Sequence, residues 1–452
     1  MITEQACRRW GGLVVLSVVL LALGACGSPG PRPSPTPTKT PRMAQKATLP
    51  PLSTPTSLPP SPTVTPAPTA TDTPVLPTDT PTLPTETPVP PTDTPAASEG
   101  AGGRPQPSST PNTGQSAGGE AWLLPPPFGP VPQVPPLPAL PSRPANINPL
   151  TGLEVDPTRL ARRPIHVCIN NDPQARPQYG FPQADVVYEY VMESYFITRF
   201  TAVYWGQEAE RIGPVRSARL INAQLTAQYD GLLACSGGSD PVRWILKHKV
   251  GFPYIDGDLD DPGNNRYFFN VGTDYRTRLQ TSTQGLRRWL TDKGLEKVPQ
   301  VRGFLFSAGI PSGGSPATSI HIPYPKFTRL NNEVDWTYDA TSGRYLRMMA
   351  GEAHVDAASK QQLSAANVVV QFAKHTDTDI REDSLGSKSI LIELWGEGRA
   401  LVFRDGQVFE AIWRSLPDQN TAYLFPDGRP IPFKPGNTWF EIVPLDYKIT
   451  YR

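Results

Sequence analysis

Three arginines lie close together in the stretch "ERIGPVRSARLINAQLTAQYDG", residues 210–231. Apolar residues recur after them at three- and four-residue spacing, which predicts a helix with Arg216 and Arg219 in its first turn and Arg211 just before it. Positive charge at a helix N-terminus opposes the helix dipole and costs about 0.3–1 kcal/mol per charge. A bound phosphate, sulfate or carboxylate removes this cost, because helix amides and guanidinium groups both bind anions. We therefore predict an anion-binding site at Arg211, Arg216, Ser217 and Arg219.

A glycine-rich loop, "SGGS", is predicted to complete this site. It follows the apolar run "LLAC", which predicts a strand, and it precedes a second predicted helix. In an open α/β sheet, ligands bind at the carboxyl ends of the strands, where both loops would lie. Backbone N–H groups of such loops bind anions. The additional members of the predicted site are Ser236, Gly237, Gly238 and Ser239.

A competing interpretation assigns Arg216 and Arg219 to ion pairs that stabilise the fold. Their partners would be acidic residues of the same domain, namely Asp172, Glu189 or Glu193. The two interpretations do not exclude each other, because an ion-pair network can also leave room for an anion. The sequence leaves both open.

Further polar residues lie in or directly after the predicted strands of this region and are expected to support the site. They are Asn171, Asp172, Arg176, Asp185, Glu189 and Arg199. A carboxylate among such residues can act as a general base on a phosphodiester or glycoside. This defines an alternative function, a cell-envelope hydrolase that uses Glu189 or Asp172. None of the five histidines lies in a recognisable nucleophile motif, so we assign no catalytic residue.

Metal binding is not predicted. Asp256, Asp258 and Asp260 alternate as in calcium loops, but Asp261 occupies the position of the sharp-turn glycine, and Tyr267 that of the bidentate glutamate. No cysteine or histidine spacing suits zinc. We expect turns formed by Asp, Gly, Pro and Asn in this segment, and neither a metal nor a cofactor.

The elements that position these residues form two predicted domains. From residue 146 to 312, apolar runs such as "PIHVCIN" and "LLAC" alternate with predicted helices, which predicts an α/β domain with a mixed sheet. From residue 318 to 452 the pattern becomes β-rich, and Asp405–Gly406 marks a tight hairpin. This region is predicted to be a second, mainly antiparallel β domain.

Two of the four cysteines, Cys168 and Cys235, lie in the predicted folded region. Both occur in apolar runs that predict buried strands. Two buried thiols are the preferred interpretation. A disulfide is the alternative, and it requires that the two strands be neighbours and lie outside the cytoplasm.

The N-terminal segments predict where the protein is located. A basic n-region and a short apolar run end in "LGAC" at Cys26, so residues 1–26 are predicted to be a lipoprotein signal peptide. Lipidation of Cys26 would anchor the protein on the outer side of a bacterial membrane. Residues 27–145 hold more than half of the 56 prolines and few bulky apolar side chains, which predicts a long disordered Pro/Thr-rich stalk.

The net charge limits the choice of partner. A formal charge of +1 for the whole chain argues against a general nucleic-acid role. We expect membrane attachment through the lipid anchor, and binding of a phosphate- or carboxylate-bearing envelope glycan through the arginines. Besides the hydrolase, a surface scaffold for protein partners is a further alternative.

Several long motifs carry a resemblance to a known family. "NPLTGL", "ARRPIHVCINNDPQARPQYGFPQADVVYEYVMES", "TRFTAVYWGQEAERIGPVRSAR" and "GNTWFEIVP" resemble the YerB-like bacterial lipoproteins, and the similarity extends over nearly everything from residue 148 to the end. The resemblance implies a lipoprotein that contains a domain of unknown function and a companion C-terminal domain. It implies no established reaction. The residues that match the family signature are Asn171, Arg176, Asp185, Glu189, Arg199, Arg216, Ser217 and Arg219.

Overall fold

A computed structural model describes residues 124–125, 127–324 and 332–452. The predicted signal peptide, the lipidation site Cys26 and most of the predicted stalk lie outside the described residues. Within the described part of the chain, no helix is both long and apolar enough to cross a membrane.

The last part of the predicted stalk is packed against the folded region, which corrects the prediction of disorder for residues 127–145. Leu124 and Phe128 are buried, and the Phe128 ring lies 6.2 Å from that of Trp395. Further along, the Arg143 Nη2 donates to the carbonyl oxygen of Phe304 at 2.7 Å. Prolines restrict the unfolded chain, so ordering this segment costs less entropy than ordering a flexible one. The buried Phe128 ring and the Arg143 hydrogen bond contribute to holding it in place.

Helices are short and few among the described residues. The α-helices are α1 (Pro157–Leu160), α2 (Leu220–Ala227), α3 (Asp240–His248), α4 (Gly257–Asp260) and α5 (Thr283–Asp292). Single 3₁₀ turns occur at Pro173–Ala175, Phe181–Gln183 and Glu193–Tyr195.

Strands dominate the fold. The strands before residue 318 are β1 (Ile165–Asn170), β2 (Val186–Val191), β3 (Thr198–Tyr204), β4 (Leu232–Cys235), β5 (Tyr254–Asp256), β6 (Phe268–Asn270), β7 (Leu279–Thr281) and β8 (Ser315–Pro316). Those that follow are β9 (Ser319–Ile322), β10 (Val334–Asp339), β11 (Arg344–Met349), β12 (Glu352–Ala353), β13 (Ser364–Ala365), β14 (Asn367–Ala373), β15 (His375–Arg381), β16 (Lys388–Ile392), β17 (Gly396–Arg404), β18 (Gln407–Leu416), β19 (Gln419–Leu424), β20 (Thr438–Pro444) and β21 (Thr450–Tyr451). The predicted β-rich character of the C-terminal region is confirmed.

One mixed sheet of eleven strands runs through both sequence regions, in the order β19-β18-β17-β14-β20-β2-β3-β1-β4-β5, with β8 paired to β18. The regions join where β2 pairs in parallel with β20, and Glu189 lies directly opposite Glu441 there. Most of these strands read as continuous apolar runs because they are buried on both faces. The mixed sheet predicted for the N-terminal region is therefore present and continues into the C-terminal region.

A smaller six-stranded sheet, in the order β12-β11-β10-β9-β21 with β13 paired to β11, packs on the large sheet. Trp336 of β10 and Trp439 of β20 meet with their ring centroids 5.4 Å apart. A separate apolar cluster packs α2 and α3 against β1 and β4. Successive residues of a strand point to opposite faces of the sheet, so Glu189 lies on one face of β2 and Tyr190 on the other.

Cys168 and Cys235 are joined by a disulfide and are completely buried. The preferred interpretation of two free thiols is therefore wrong. Strands β1 and β4 pair in parallel with Val167 opposite Ala234, which brings the next residue of each strand side by side. The sequence does not reveal this pairing, because 67 residues separate the cysteines.

Candidate anion-binding site

The segment that carries the predicted arginines is extended, which corrects the predicted helix start. Ile212 pairs with Thr281, and Val215 pairs with Ile169. Helix α2 begins only at Leu220, and Arg219 is its N-cap residue. Apolar spacing favoured a longer helix, but strands β1 and β7 offered backbone partners that the sequence alone does not show.

Helix α2 is also less exposed than an amphipathic helix. All residues from Leu220 to Thr226 are buried. Asn222 binds the helix start to the sheet, since its Oδ1 accepts from the Arg219 N–H at 2.7 Å and its Nδ2 donates to the Thr201 hydroxyl at 2.9 Å. The helix therefore fixes Arg219 firmly at the end of the extended segment.

Arg219 is paired within the protein. Its Nε donates to Glu193 Oε2 at 2.7 Å and its Nη2 to Glu193 Oε1 at 2.5 Å, while Glu382 lies 3.5 Å from its Nη1. Burial raises the pKa of Glu193, but the hydrogen bonds and charge of Arg219 outweigh this effect and leave the pKa below its ordinary value. Internal pairing thus applies to Arg219, and it involves Glu193, one of the three partners considered.

Arg199 differs, because it is buried without an ion pair. The residue is 5 % exposed, and none of the ion pairs among the described residues includes it. Its Nη1 donates to the carbonyl oxygen of Ser217 at 2.6 Å, and its Nε has no hydrogen-bond partner. Burial lowers the pKa of Arg199 to about 9, and the charges of Arg219 and Arg216 lower it too, while Glu193 opposes them. The guanidinium therefore stays charged at neutral pH.

Arg216 is the most accessible member of this group. Its Nη1 lies 3.4 Å from the carbonyl oxygen of Tyr275, and its guanidinium carbon lies 5.4 Å from the centroid of the Tyr275 ring. The backbone of Arg216 is clamped between neighbouring strands, since its N–H donates to Cys168 and its carbonyl accepts from Ser236, both at 3.0 Å. Burial is the main cause that lowers the pKa of Arg216.

Arg199, Arg216 and Arg219 form one group, which we call the arginine cluster. Its members act electrostatically on one another; Glu193 and Glu382 pair with Arg219, while Asp172 and Asp258 act on Arg216 over a longer range. Among the described residues, no carboxylate forms an ion pair with Arg199 or Arg216. Such a cluster can take up a phosphate or carboxylate with charge-assisted hydrogen bonds.

The glycine-rich loop, residues 236–239, lies next to this cluster, but some of its hydrogen-bond donors are already used within the protein. Ala218 donates its N–H to the Gly237 carbonyl at 3.0 Å, so loop and cluster are adjacent. However, the Gly237 N–H donates to Asp256 at 3.0 Å, and the Ser236 hydroxyl donates to Asp258 at 2.6 Å. These carboxylates would repel an anion, so the loop is poorly suited to bind an anion together with the arginines.

The other predicted members of the loop serve helix α3. Ser239 is the N-cap residue of α3, and its hydroxyl is buried without a hydrogen bond. Gly238 has a φ of 148°, a conformation that favours glycine. Arg211 is separate from the cluster. Its guanidinium stacks on the Tyr179 ring at 3.4 Å, and five steps of extended chain, roughly 16 Å, lead from it to Arg216.

Three of the supporting residues belong to a buried network on the opposite face of the sheet. Asn171 donates to the Thr198 hydroxyl at 2.6 Å and to Glu189 at 3.3 Å, and it accepts from Arg176 at 3.0 Å. Glu189 is fully buried. A carboxylate without access to solvent or substrate is unsuited to act as the base of a hydrolase.

Arg347 of β11 holds this network together. It forms ion pairs with Glu189 and, at 2.8 Å, with Glu441, and its Nε donates to His354 Nδ1 at 3.0 Å. Burial raises the pKa of Glu189 to about 8, an effect that Arg347 opposes and Glu441 reinforces. Neither Arg347 nor Glu441 is among the residues predicted from the sequence. The only signal was a charge inside the apolar strands "RYLRMM" and "TWFEIVP".

The two remaining supporting residues have local roles. Asp172 caps the first 3₁₀ turn by accepting from the Gln174 N–H at 2.9 Å. Asp185 accepts from the N–H groups of Trp205 and Gly206 at 2.6 and 2.8 Å and from Asn148 Nδ2 at 3.0 Å. Burial raises the pKa of Asp185 to about 6.

The aspartate-rich segment forms a capped turn, as expected. Asp256 caps α4 and pairs with Arg243 at 2.9 Å, and Asp260 pairs with Lys247. Among the described residues, no group of three or more His, Cys, Asp or Glu side chains is arranged to hold a metal ion.

Comparisons with known proteins agree with the motifs. Residues 150–296 match the N-terminal domain model, and residues 323–440 the C-terminal domain model, of a protein family of unknown function (DUF3048). The chain is 29% identical over 309 residues to "Putative lipoprotein YerB" of Bacillus subtilis (strain 168), covering 66% of this chain and 86% of that protein. The crystal structure of YerB protein from Bacillus subtilis aligns with a TM-score of 0.58 over 67% of this chain and 99% of that chain. The protein described here thus belongs to the DUF3048 family and contains both of its domains.

Proposed function

We propose that this protein is lipid-anchored outside the cytoplasm and binds an anionic envelope ligand, a phosphate- or carboxylate-bearing glycan, at the arginine cluster. The anchor is supported by the "LGAC" motif at Cys26 and by the name of the Bacillus subtilis relative, a putative lipoprotein. Arg216 contacts the ligand, and the neighbouring Arg199 supplies positive potential.

The burial of Arg199 without an ion pair carries this proposal. A buried charge without a counter-ion is costly, and proteins normally pair it. If Arg199 had a purely structural role, we would expect an acidic residue to form an ion pair with it, as Glu193 does with Arg219. An anion bound at Arg216 supplies the missing negative charge.

The same arrangement favours larger ligands over a tightly enclosed ion. Arg216 is partly exposed beside the Tyr275 ring, and Tyr275 is 63% exposed. An exposed aromatic ring next to a guanidinium suits a sugar carrying a negative group, because the ring offers an apolar face and the arginine a bidentate donor.

Calorimetric titration of the lipid-free chain from residue 27 tests this function. The probes are polyglycerol phosphate, polygalacturonate and neutral dextran, and the proteins are the wild type, Arg216→Gln and the control Arg399→Gln. Arg399 is a matched control because it is an exposed arginine paired with Glu410, remote in sequence from the cluster.

We expect the charged polymers to bind to the wild type and the control, and to bind at least tenfold more weakly to Arg216→Gln. Equal binding of dextran would refute the role of charge. Unchanged binding by Arg216→Gln, or no binding of either charged polymer to the wild type, would refute the site.

A further inference from the structure

A second cleft, of about 340 Å³, lies where distant parts of the chain meet. One wall is formed by five residues, Asn148, Thr151, Leu153, Glu154 and Val155. Asp185 before β2 and Gly206 after β3 adjoin it, and Arg344 and Asn437 close the opposite side. This volume is near the lower end of that of ligand pockets, so it suits a small molecule. The cleft does not involve the arginine cluster.

Hydrogen bonds between the walls make the cleft a preformed feature. The Gly436 N–H donates to the Thr151 carbonyl at 2.8 Å, and the Thr438 N–H donates to the Asp185 carbonyl at 3.2 Å. Asn148 is tied to the Asp185 carboxylate at 3.0 Å. A ligand would therefore meet fixed polar groups, which lowers the entropy cost of binding.

The positively charged guanidinium of Arg344 is hydrogen-bonded only to neutral groups among the described residues. Its Nε donates to the Ser364 hydroxyl at 2.8 Å, and its Nη2 donates to the Ser364 carbonyl at 3.0 Å and to Asn437 Oδ1 at 2.5 Å. Among the described residues it forms no ion pair. Its Nη1 donates no hydrogen bond within the described residues, so this nitrogen is available to a ligand.

Carboxylates lie on the other wall, and neither of them forms an ion pair in the described ranges, although Arg159 acts electrostatically on Asp185. The Asp185 carboxylate accepts hydrogen bonds from neutral donors, namely Asn148 and the Trp205 and Gly206 amides. Glu154 stands exposed at the rim of the cleft. Separated charges of opposite sign across a small cleft match a ligand that carries both an anionic and a cationic group.

The geometry points to a binding site for a small zwitterion, a free α-amino acid or the end of a short peptide, whose carboxylate binds Arg344 and whose ammonium group faces Glu154 and Asp185. Bidentate pairing with guanidinium is the strongest way to hold a carboxylate. No aromatic ring lines the cleft, so a pyranose would lack the stacking surface that sugars commonly use. The site is independent of the anionic ligand proposed above.

Titration of the lipid-free chain with glycine, L-alanine and glycylglycine, followed by saturation-transfer NMR, tests this site. Acetate and methylamine serve as probes that carry only one of the two charges. Variants Arg344→Gln and Glu154→Gln each remove one charge from the cleft, and Glu397→Gln, an exposed glutamate paired with Arg414, is the control.

We expect a zwitterion to bind to the wild type and the control, at least tenfold more tightly than acetate or methylamine, and at least tenfold more weakly to either cleft variant. Because Glu154 is exposed, Glu154→Gln is expected to fold. Its binding therefore tests the proposal even if Arg344→Gln does not fold. Failure of all three zwitterions to bind, equal binding of acetate, or unchanged binding by Glu154→Gln would overturn the proposal.

Discussion

His166 is expected to make the protein sensitive to acid. It lies in β1, is fully buried, and neither of its ring nitrogens has a hydrogen-bond partner. Its ring packs edge-on against Tyr229 at 5.0 Å, and a Cβ atom on Gly231 would lie 2.6 Å from its Cε1. Burial lowers the pKa of His166 to about 3, with a smaller opposing effect from the Leu232 backbone.

The sign and size of the effect follow from proton linkage. Unfolded histidine has a pKa of about 6.5, so below that pH the unfolded state binds a proton that the folded state excludes. Stability is therefore fully present above pH 6.5 and is lost as the pH falls toward the folded pKa. At pH 4.5, two units below the unfolded pKa, His166 alone reduces the free energy of unfolding by about 2.7 kcal/mol.

The variant His166→Leu removes the titrating group and keeps an apolar side chain of similar size. Urea unfolding at pH 7.0 and pH 4.5 gives the loss of stability on acidification for each protein. The wild type should lose about 2.7 kcal/mol more than the variant, because every other titrating group is present in both. His248→Leu, at an exposed position of α3, is the control and should behave like the wild type.

An equal loss of stability in the wild type and His166→Leu would refute this reasoning. It would mean that the ring takes up its proton in the folded state without cost.

Further predictions concern the groups that hold the fold together, each measured by urea unfolding at pH 7. Arg347→Met should lower the free energy of unfolding by about 3–5 kcal/mol, because two buried carboxylates lose their shared partner, and adding Glu441→Gln should restore part of the loss; no loss in the single variant would contradict the network. Replacing Cys168 and Cys235 by alanine should cost about 4 kcal/mol, since the disulfide closes a loop over a separation of 67 residues; an unchanged midpoint would show that the bond does not restrict the unfolded chain. Phe128→Ala should cost about 3 kcal/mol if the proline-rich segment is held by its ring, and a cost near zero would mean that the segment does not stay packed.

Local patterns predicted the strands and turns well. The run "PIHVCIN" is strand β1, and Asp405 and Gly406 form the turn between β17 and β18 with positive φ values of 51° and 70°. Such two-residue turns favour aspartate followed by glycine, because both central residues take a left-handed conformation. The information needed for these features lies within a few neighbouring residues.

Contacts between distant segments could not be predicted from the sequence. The apolar spacing after Pro214 suits a helix, but pairing with Ile169 and Thr281 makes residues 212–215 extended. Arg347 lies 158 residues from Glu189, and nothing in the two strands marks them as partners. The arginines from 211 to 219 could be predicted as a site because they are close together in the sequence, whereas the role proposed for Arg199 depends on its burial without an ion pair, which the sequence does not show.

Arg199→Met removes the buried positive charge that forms no ion pair and on which the proposed anion site depends most. The most direct test is the free energy of unfolding of the wild type and this variant, each with inorganic phosphate and with sodium chloride at the same ionic strength. A ligand that binds only the folded state stabilises it. We predict that without phosphate the variant is at least as stable as the wild type, and that phosphate stabilises the wild type but not the variant. If instead Arg199→Met is several kcal/mol less stable in chloride, and phosphate has the same effect on both proteins, then Arg199 is a structural cation and the arginine cluster is not an anion site.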